Sequence, residues 1–210
     1  MELSYLGKDV FGEHESRVIF ALGRVHKQMS GRQIARVTDV PKTTVQRILN
    51  HYEKIGLVEL EQQGRTYLYS LNRKHVLWAA FEIVFSARES LLEYMKKKYE
   101  ALAAEYDASV TLFGSVARFE SSIDSDIDIF LVVPAKTEID DSLREEILNK
   151  TSKIEEKVFK RSGNTLNTLT ITTTDVKRMK KSSDALLANV LNEGKHVAGE
   201  ALPELVKKLR

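Results

Sequence analysis

Several residue types and patterns are scarce in this 210-residue sequence, which contains no cysteine and only three prolines. The lack of cysteine excludes a disulfide scaffold, a thiolate zinc site, an iron–sulfur cluster and a cysteine nucleophile. No segment approaches the roughly 18 consecutive apolar residues of a transmembrane helix, and residues 1–10 lack the pattern of an export signal. We therefore expect a cytoplasmic protein that has no membrane partner.

An excess of charge of one sign is also lacking, because 32 basic and 30 acidic residues leave a formal net charge of +2. Hydrophobic residues make up 42% of the chain and charged residues 30%, a balance typical of folded domains that excludes disorder as the main state. Residues 1–75 hold 12 basic and 8 acidic residues, a net of +4, whereas residues 76–210 hold 20 and 22, a net of −2. The basic N-terminal part weakly favours a nucleic acid as its partner.

The N-terminal part contains three successive helical patterns. Apolar residues at helical spacing predict a first helix that ends at about Met29. Ser30 has the side chain of an N-cap and is expected to begin a second helix. Pro41 suits the first turn of a third helix, since it lacks the N–H that would be unpaired there, and Gly56 is expected to stop that helix in a left-handed conformation.

Two segments of alternating apolar and polar residues follow the third helix. Residues 57–61 and 66–71 are predicted to form strands, and Gly64 lies in a predicted turn over residues 62–65. Three helices followed by a hairpin is the order of a helix-turn-helix with a wing. In that arrangement the third helix enters the major groove of DNA.

The polar face of the third helix offers side chains suited to phosphate contacts and to hydrogen bonds with base edges. They are Lys42, Thr43, Thr44, Gln46, Arg47 and Asn50, and the tip of the hairpin adds Gln62, Gln63 and Arg65. An ordinary solvent-exposed helix also carries such residues, so a purely structural surface is the alternative. Helix order and charge together favour contact with double-stranded DNA.

Residues 31–59, which read GRQIARVTDVPKTTVQRILNHYEKIGLVE, resemble the winged helix-turn-helix domains of bacterial and archaeal regulators. The resemblance implies a winged-helix fold and a role in transcription regulation, but it does not identify the DNA sequence that is bound. Some winged helices bind other proteins instead, and that alternative remains open.

A long segment without glycine or proline, residues 74–105, joins this part to the rest of the chain. Its apolar residues recur at helical spacing, which predicts a linking helix within residues 76–106. The helix would either pack on the domains that flank it or form the seam of a homodimer. We expect the homodimer, because many regulators of this kind match two-fold symmetric DNA sites. The sequence thus predicts a first domain over residues 1–75 and a second over residues 107–210.

The second domain contains the motif G-S-x(10)-D-x-D, in the segment FGSVARFESSIDSDIDIFLVV. A strand-like run leads into Gly114 and Ser115, and Asp126 and Asp128 open a second apolar run. Side chains at i and i+2 of a strand point to one face, so the two aspartates are expected to project together. Paired carboxylates favour a hard cation such as Mg²⁺ or Mn²⁺, and Mg²⁺ is commonly held by one or two carboxylates together with substrate phosphates.

The same motif supplies groups suited to the phosphates of a nucleotide. Gly114 allows close approach of the backbone, and Ser115 offers a hydroxyl and a backbone N–H. Arg118, about one helical turn later, is expected to pair with a phosphate, with Asp124 or with Asp126. The candidate nucleotide-binding residues are Gly114, Ser115, Arg118 and Ser125.

With these motifs, residues from about 107 to 200 resemble the minimal nucleotidyltransferases of the DNA polymerase β superfamily, and among them the small prokaryotic MNT-type group. The resemblance implies a small α/β domain with a mixed sheet, so the whole chain is expected to be α+β. It also implies that Gly114 and Ser115 hold a nucleoside triphosphate, for which we expect ATP, and that Asp126 and Asp128 are the catalytic metal ligands. Such enzymes transfer a nucleoside monophosphate to a hydroxyl or other acceptor.

The family usually has a third carboxylate on a later strand, and this sequence departs from that pattern. The strand predicted over residues 166–172 reads LNTLTIT and contains no acidic residue. The expected acidic position falls on Asn167, Thr168 or Thr170. Asp175 is expected to cap the helix that follows, so Glu155 and Glu156 on the preceding charged helix are the remaining substitute ligands.

Three functional hypotheses follow. The first is a DNA-binding transcriptional regulator whose second domain binds a Mg²⁺–nucleotide complex, which the missing carboxylate favours. The second is an active nucleotidyltransferase that modifies a protein or a small-molecule hydroxyl, as antitoxin-type members of the group do, which the intact G-S-x(10)-D-x-D motif favours. The third is an interaction module without catalysis, because a fold does not fix an activity.

Overall fold

The computed structural model describes residues 7–25, 27–118, 120, 125–134 and 141–209. The chain divides into two compact units, the first up to Arg88 and the second from Glu89 onward. A 29-residue helix, Trp78–Tyr106, runs across this division. The architecture is α+β, as predicted, and each unit contains its own hydrophobic core.

The first unit combines short helices with a small antiparallel sheet. Its described helices before the long one are α1 (Lys8–Phe11), α2 (Glu13–Arg24), α3 (Gly31–Thr38) and α4 (Lys42–Lys54). Its described strands are β1 (Met29–Ser30), β2 (Val58–Gln63) and β3 (Thr66–Leu71), in the sheet order β1-β3-β2. The sequence α2, α3, α4 and the β2–β3 hairpin is the predicted winged helix-turn-helix order.

Ser30 starts α3 as the sequence predicts, through a capping box. Its hydroxyl accepts a hydrogen bond from the Gln33 backbone N–H, and Gln33 Oε1 accepts one from the Ser30 backbone N–H at 2.8 Å. The prediction that the first helix reaches Met29 is wrong, because α2 ends at Arg24. Met29 and Ser30 form β1 instead, and their pairing with β3 takes the place of helical hydrogen bonds.

The boundaries of α4 and of the wing also differ from the prediction. Pro41 is the N-cap of α4, with ψ at 136°, instead of lying in the first turn. Gly56 follows the end of the helix with φ at 77°, which confirms the left-handed stop. The wing strands run further than predicted, so the turn between β2 and β3 shrinks to Arg65 and Gly64, whose φ is 62°.

The long helix, α5 (Trp78–Tyr106), lies within the range predicted for the linking helix, residues 76–106. Asn72 holds the preceding chain in turns, because its side chain accepts from the Lys74 backbone N–H at 3.1 Å and donates to the Gly56 carbonyl at 3.0 Å. Trp78 and Phe81, in the first turns of α5, are buried in the core of the first unit with residues of α2, α4 and β3. This part of the predicted apolar stripe therefore serves core packing.

The second unit is built on a mixed sheet. Its described strands are β4 (Ser109–Phe113), β5 (Ile127–Val133), β6 (Leu166–Thr172) and β7 (Lys195–Ala198). Its described helices after α5 are α6 (Gly114–Arg118), α7 (Asp141–Ser162), α8 (Thr173–Lys181), α9 (Ala185–Glu193) and α10 (Leu202–Lys208). The sheet order is β6-β5-β4-β7, in which β5 and β6 are parallel and the other pairs antiparallel. The prediction of a mixed sheet is confirmed.

The strand β5 is buried on both faces and anchors this unit. Ile127 and Ile129 face a core formed with α7 and the second half of α5. Phe130 and Val132 face a smaller core formed with α8, α9 and α10. Because successive side chains of a strand alternate between faces, Asp128 lies on the same side of the sheet as Phe130. The packing of both faces therefore fixes the strand that carries the aspartate motif.

Candidate functional site

Asp126 and Asp128 stand at the beginning of β5. Asp126 immediately precedes the strand and is exposed, whereas Asp128 lies within it and is half-buried. In the sheet, Asp128 is paired with Phe113 on β4 and with Asn167 on β6. The aspartate pair therefore lies where three strands meet and where the chain leaves β4 through Gly114.

Gly114 passes directly over the Asp128 carboxylate. Its φ is 73°, and a Cβ atom placed on it would lie 2.5 Å from Asp128 Oδ2, well inside van der Waals contact. Any other residue would be strained by the backbone conformation and would also displace the carboxylate. The left-handed backbone and the nearby Asp128 side chain thus both favour glycine at position 114. Ser115 follows as the second residue of α6 and is half-buried.

Asn167 brings a neutral amide to the two carboxylates. Its Nδ2 donates a hydrogen bond to Asp126 Oδ2 at 3.2 Å, and Asn167 is paired with Asp128 in the register of β5 and β6. Because paired residues of neighbouring strands share a face, the hydrogen bond from Asn167 to Asp126 agrees with the predicted projection of Asp126 and Asp128 to one face. An amide offers donors where a third carboxylate would offer negative charge.

The other two candidates for the third acidic position lie on the opposite face of β6. Thr168 Oγ1 is 2.7 Å from Tyr99 Oη, within the core beneath the sheet. Thr170, two residues further along the strand, shares that face. Within the part of the chain that the structure describes, no group of three or more His, Asp or Glu side chains is arranged to hold a metal ion. Among the described residues, Asp126 and Asp128 are therefore the candidate metal ligands of this site.

The electrostatics of Asp128 reflect its position in the strand. Partial burial raises the pKa of the Asp128 carboxyl above its ordinary value. The hydrogen bond from Asn167 opposes this rise, and the negative charge of Asp126 adds to it. A cation bound by the two carboxylates would offset both the cost of burying the charge of Asp128 and its repulsion by Asp126.

Arg118 and Ser125, the other predicted nucleotide-binding residues, have protein partners. Arg118 Nε lies 2.7 Å from Glu120 Oε2, and its NH1 lies 2.9 Å from Glu193 Oε2 at the end of α9. These two acidic partners raise the pKa of Arg118. The Ser125 carbonyl accepts a hydrogen bond from Asn164 Nδ2 at 3.1 Å. Asp124, the other predicted partner of Arg118, lies outside the described residues.

Asp175 caps α8, as the sequence predicts. Its backbone N–H donates to Thr172 Oγ1 at 3.0 Å, and its Oδ2 accepts from the Thr172 backbone N–H at 2.9 Å. The Thr172 hydroxyl also donates to Asp175 Oδ2 at 2.7 Å, and this bond, together with the one from the Thr172 backbone N–H, lowers the pKa of the Asp175 carboxyl. The Asp175 carboxylate therefore stabilises the start of α8 and does not act as a third acid beside Asp126 and Asp128.

The two glutamates considered as substitute ligands have other surroundings. Glu156 forms an ion pair with Lys160 on the same helix, at 2.5 Å. Burial chiefly raises the pKa of Tyr99, and the charge of Glu155 adds to that rise. Glu155 lies on α7, whose buried residues pack in the core on the opposite face of the sheet from Asp128.

On α4, the residues predicted to contact DNA lie opposite the buried face. The buried face consists of Val45, Ile48, Leu49 and Tyr52. The exposed residues are Lys42, Thr43, Gln46, Arg47 and Asn50, while Thr44 is half-buried. Arg65 is exposed at the turn of the wing, as are Gln62 and Gln63 beside it. The whole predicted set is thus at least partly open to solvent.

Arg47 is paired with an acid from α2. Its NH2 lies 3.0 Å from Glu15 Oε1, and the Arg47 side chain is 68% exposed. An ion pair this open to water contributes about 0–1 kcal/mol. The guanidinium of Arg47 can therefore leave Glu15 for a phosphate at little cost.

Gln46 is held by two neighbours, one of which sequence reasoning did not single out. Its Nε2 donates to Asn50 Oδ1 at 2.8 Å and to Tyr69 Oη at 2.9 Å. Tyr69 lies on β3 and is buried. The alternating pattern of β3 is the signal that could have placed this residue toward the helices. Glu193, the partner of Arg118, had no comparable signal.

Comparisons with known families agree with this division of the chain. A family model described as "Nucleotidyltransferase domain" matches residues 88–184, and one described as "MarR family" matches residues 12–66. Searches of the curated proteins and of the solved structures found no match. Among the described helices, none has both the length and the apolar character needed to cross a membrane. The two matches, in this order along the chain, support a winged-helix domain followed by a nucleotidyltransferase domain.

Proposed function

We propose that the protein is a DNA-binding transcriptional regulator whose nucleotidyltransferase domain binds a Mg²⁺–nucleoside triphosphate, with ATP as the expected nucleotide. The observation that carries the proposal is the position of Asn167, which donates to Asp126 and is the sheet partner of Asp128, so that the carboxylate pair lies beside a neutral amide. Such a regulator would act in the cytoplasm, where both DNA and nucleotide are available.

The residues present suit a hard divalent cation. Asp126 and Asp128 offer oxygen donors on one face of β5, and the half-buried position of Asp128 makes a second negative charge nearby unfavourable without a cation. These two residues would hold Mg²⁺ or Mn²⁺. When bound, the ion would supply positive charge to the phosphates of the nucleotide.

The protein's own groups would then position the nucleotide. Gly114, which has no side chain, lets the backbone approach a phosphate beside Asp128. The Ser115 hydroxyl is a donor for a phosphate oxygen. Arg118 would bind a phosphate by releasing one of its two glutamate partners. Ser125 immediately precedes Asp126 in the sequence. Asn167 would hold the Asp126 carboxylate beside Asp128 through its amide.

Binding without transfer is favoured because the amide of Asn167 can neither accept a proton from an attacking hydroxyl nor add negative charge.

The second candidate function, an active nucleotidyltransferase, is favoured by the complete G-S-x(10)-D-x-D motif. In that reaction an oxygen of a protein or small-molecule hydroxyl would bond to the α-phosphorus and lose its proton, and pyrophosphate would leave. An antitoxin-type enzyme that modifies a partner protein is the specific form of this alternative.

DNA binding is assigned to α4 and the wing. In a winged helix the third helix of the motif enters the major groove, and here that helix presents the exposed polar set from Lys42 to Asn50. Arg65, exposed at the turn of the wing, would contact the phosphate backbone or the minor groove. The excess of basic residues in the N-terminal part supports the same partner.

Arg47→Ala is expected to weaken binding to the protein's own upstream DNA about three- to tenfold and to lower the salt dependence by about one phosphate contact. Glu15→Gln is expected to strengthen binding, because it frees the Arg47 guanidinium from its acidic partner. Fluorescence anisotropy at several salt concentrations measures both effects. Arg24→Ala is the control, since it removes an equal charge from the end of α2, where the guanidinium lies over Phe20. Equal losses for Arg24→Ala and Arg47→Ala would contradict the assignment.

A homodimer is also part of the proposal, because two-fold DNA sites match two-fold proteins. The apolar side chain of Ile83 on α5 is 71% exposed and would be covered by a second copy. Sedimentation equilibrium is expected to give twice the 23.9 kDa mass of the chain, and Ile83→Glu is expected to shift the protein to monomers. Leu148→Glu, an exposed position on α7, is the control that should remain dimeric. A monomeric unaltered protein at concentrations that bind DNA would reject the dimer.

A further inference from the structure

We propose that Asn50 reads an adenine in the major groove and that Gln46 and Tyr69 fix the orientation of its amide. The inference rests on the proposed binding of DNA by α4. It goes beyond that proposal by naming a base, the residue that selects it and the two residues that position the selector.

The contacts form a chain from the core of the winged-helix unit to its surface. Tyr69 is 3% exposed and is held in the central strand of the sheet between β1 and β2. Its hydroxyl accepts a hydrogen bond from Gln46 Nε2 at 2.9 Å, and the same nitrogen donates to Asn50 Oδ1 at 2.8 Å. A buried tyrosine therefore anchors, through Gln46, a side chain that is exposed on the proposed DNA-binding face.

The hydrogen bonds among Tyr69, Gln46 and Asn50 leave a donor and an acceptor of Asn50 for a ligand. Gln46 Nε2 has two hydrogens, and the two bonds to Tyr69 and Asn50 use both. Asn50 Oδ1 has two lone pairs, of which Gln46 occupies one. Within the described residues, no further hydrogen bond of Asn50 is present. The exposed edge of Asn50 thus offers one acceptor, Oδ1, and one donor, Nδ2, side by side. The hydrogen bond from Gln46 determines on which side the oxygen lies.

That edge is complementary to adenine. In the major groove adenine presents an N6 amino donor and an N7 acceptor, and a bidentate asparagine pairs with both. Guanine presents an O6 acceptor in place of the amino donor, so the fixed Asn50 oxygen would face another acceptor. A bidentate contact of this kind corresponds to about a tenfold or greater preference over the wrong base.

The test uses synthetic duplexes chosen by selection from randomised double-stranded DNA with the full-length protein. Each adenine of the selected sequence is then replaced in turn by 7-deazaadenine, which retains the amino group and base pairing but lacks the N7 acceptor. At one adenine of each half-site, the unaltered protein is expected to lose about tenfold in affinity. Asn50→Ala is expected to bind the two duplexes equally, because the donor that contacts N7 is gone.

Tyr69→Phe tests the positioning role. The variant removes only the hydroxyl that anchors Gln46, so the preference for adenine over 7-deazaadenine is expected to fall about threefold. Affinity for a scrambled duplex should remain unchanged, which a general loss of structure would not allow. Tyr67→Phe, which removes a hydroxyl from a 52% exposed tyrosine on the same strand, is the matched control that should keep the full preference.

The possible failures are distinguishable. If no duplex is bound in a salt-dependent manner, the proposed DNA-binding function fails and this inference fails with it; a protein-docking role for α4 gives that result. If duplexes are bound and Arg47→Ala weakens binding, but the loss at 7-deazaadenine is the same in the unaltered protein and in Asn50→Ala, the proposed function stands and the adenine reading is overturned.

Discussion

Asp126→Asn is expected to lower the affinity for Mg²⁺–ATP at least about 100-fold, because it removes a charged oxygen ligand from a site that has only two described carboxylates. Asp128→Asn is expected to have a similar effect on binding. Isothermal titration of the full-length protein with ATP, in Mg²⁺ and again with excess chelator, measures the loss. Binding by the unaltered protein should itself disappear when the metal is removed.

The half-buried position of Asp128 makes its variant informative about folding. Burial already disfavours the charged form of this side chain and raises its pKa, so a neutral asparagine should fold at least as stably. Asp107→Asn is the matched control. It removes a carboxylate of the same unit at an exposed position with φ at 50°, a conformation that asparagine tolerates. Unchanged Mg²⁺–ATP affinity in Asp126→Asn would show that the aspartate motif is not the nucleotide site.

Phe130→Ala is expected to lower the free energy of unfolding by about 3–5 kcal/mol, since it empties a large space in a packed core. Phe130 is fully buried on β5, and its ring meets that of Phe113 edge-on at 6.1 Å. Phe113 in turn is the sheet partner of Asp128 and precedes Gly114. Loss of this support should therefore also weaken nucleotide binding. Urea-induced unfolding followed by circular dichroism gives the stability.

The control for Phe130→Ala is the same substitution on the surface. Phe159 on α7 is 56% exposed, so Phe159→Ala should change the stability by no more than about 0.5 kcal/mol. Equal destabilisation by the two substitutions would contradict the core described around β5. A large change in nucleotide affinity for Phe159→Ala alone would contradict the placement of the site on the Phe130 side of the sheet.

The features that sequence predicts well here are those that local interactions determine. Ser30 and Gln33 satisfy each other's backbone groups across one turn, and the same is true of Thr172 and Asp175. The strand over residues 166–172 was also recognisable, because β-branched residues alternate along it. Each of these signals is contained within a few residues, so no knowledge of distant parts of the chain is needed.

The features that sequence did not predict depend on distant parts of the chain. Met29 continues a helical pattern, but pairing with β3 draws it into a strand. Arg118 was expected to pair with a phosphate or an aspartate, yet its described partners include Glu193, which is 75 positions away. Contacts of this kind follow from packing, which no local pattern specifies.

The same difference between local signals and distant contacts applies to the candidate nucleotide site. The motif identified Gly114, Asp126 and Asp128 as neighbours, because their spacing fits a strand, a turn and a second strand. It left open whether Asn167, Thr168 or Thr170 faces the carboxylates. A shift of one residue in the pairing of β5 with β6 would exchange these side chains between faces. The register that pairs Asp128 with Asn167 resolves the choice.

Incubation of the full-length protein with α-labelled ATP and Mg²⁺, with and without the products of neighbouring genes, tests the central proposal most directly. The label should be retained under native conditions, should be lost with chelator, and should be fully released when the protein is denatured. Retention of label in Asp126→Asn, or no retention by the unaltered protein, would contradict nucleotide binding by the aspartate motif. Label that remains covalently attached to an acceptor after denaturation would contradict binding without transfer and would establish the nucleotidyltransferase alternative.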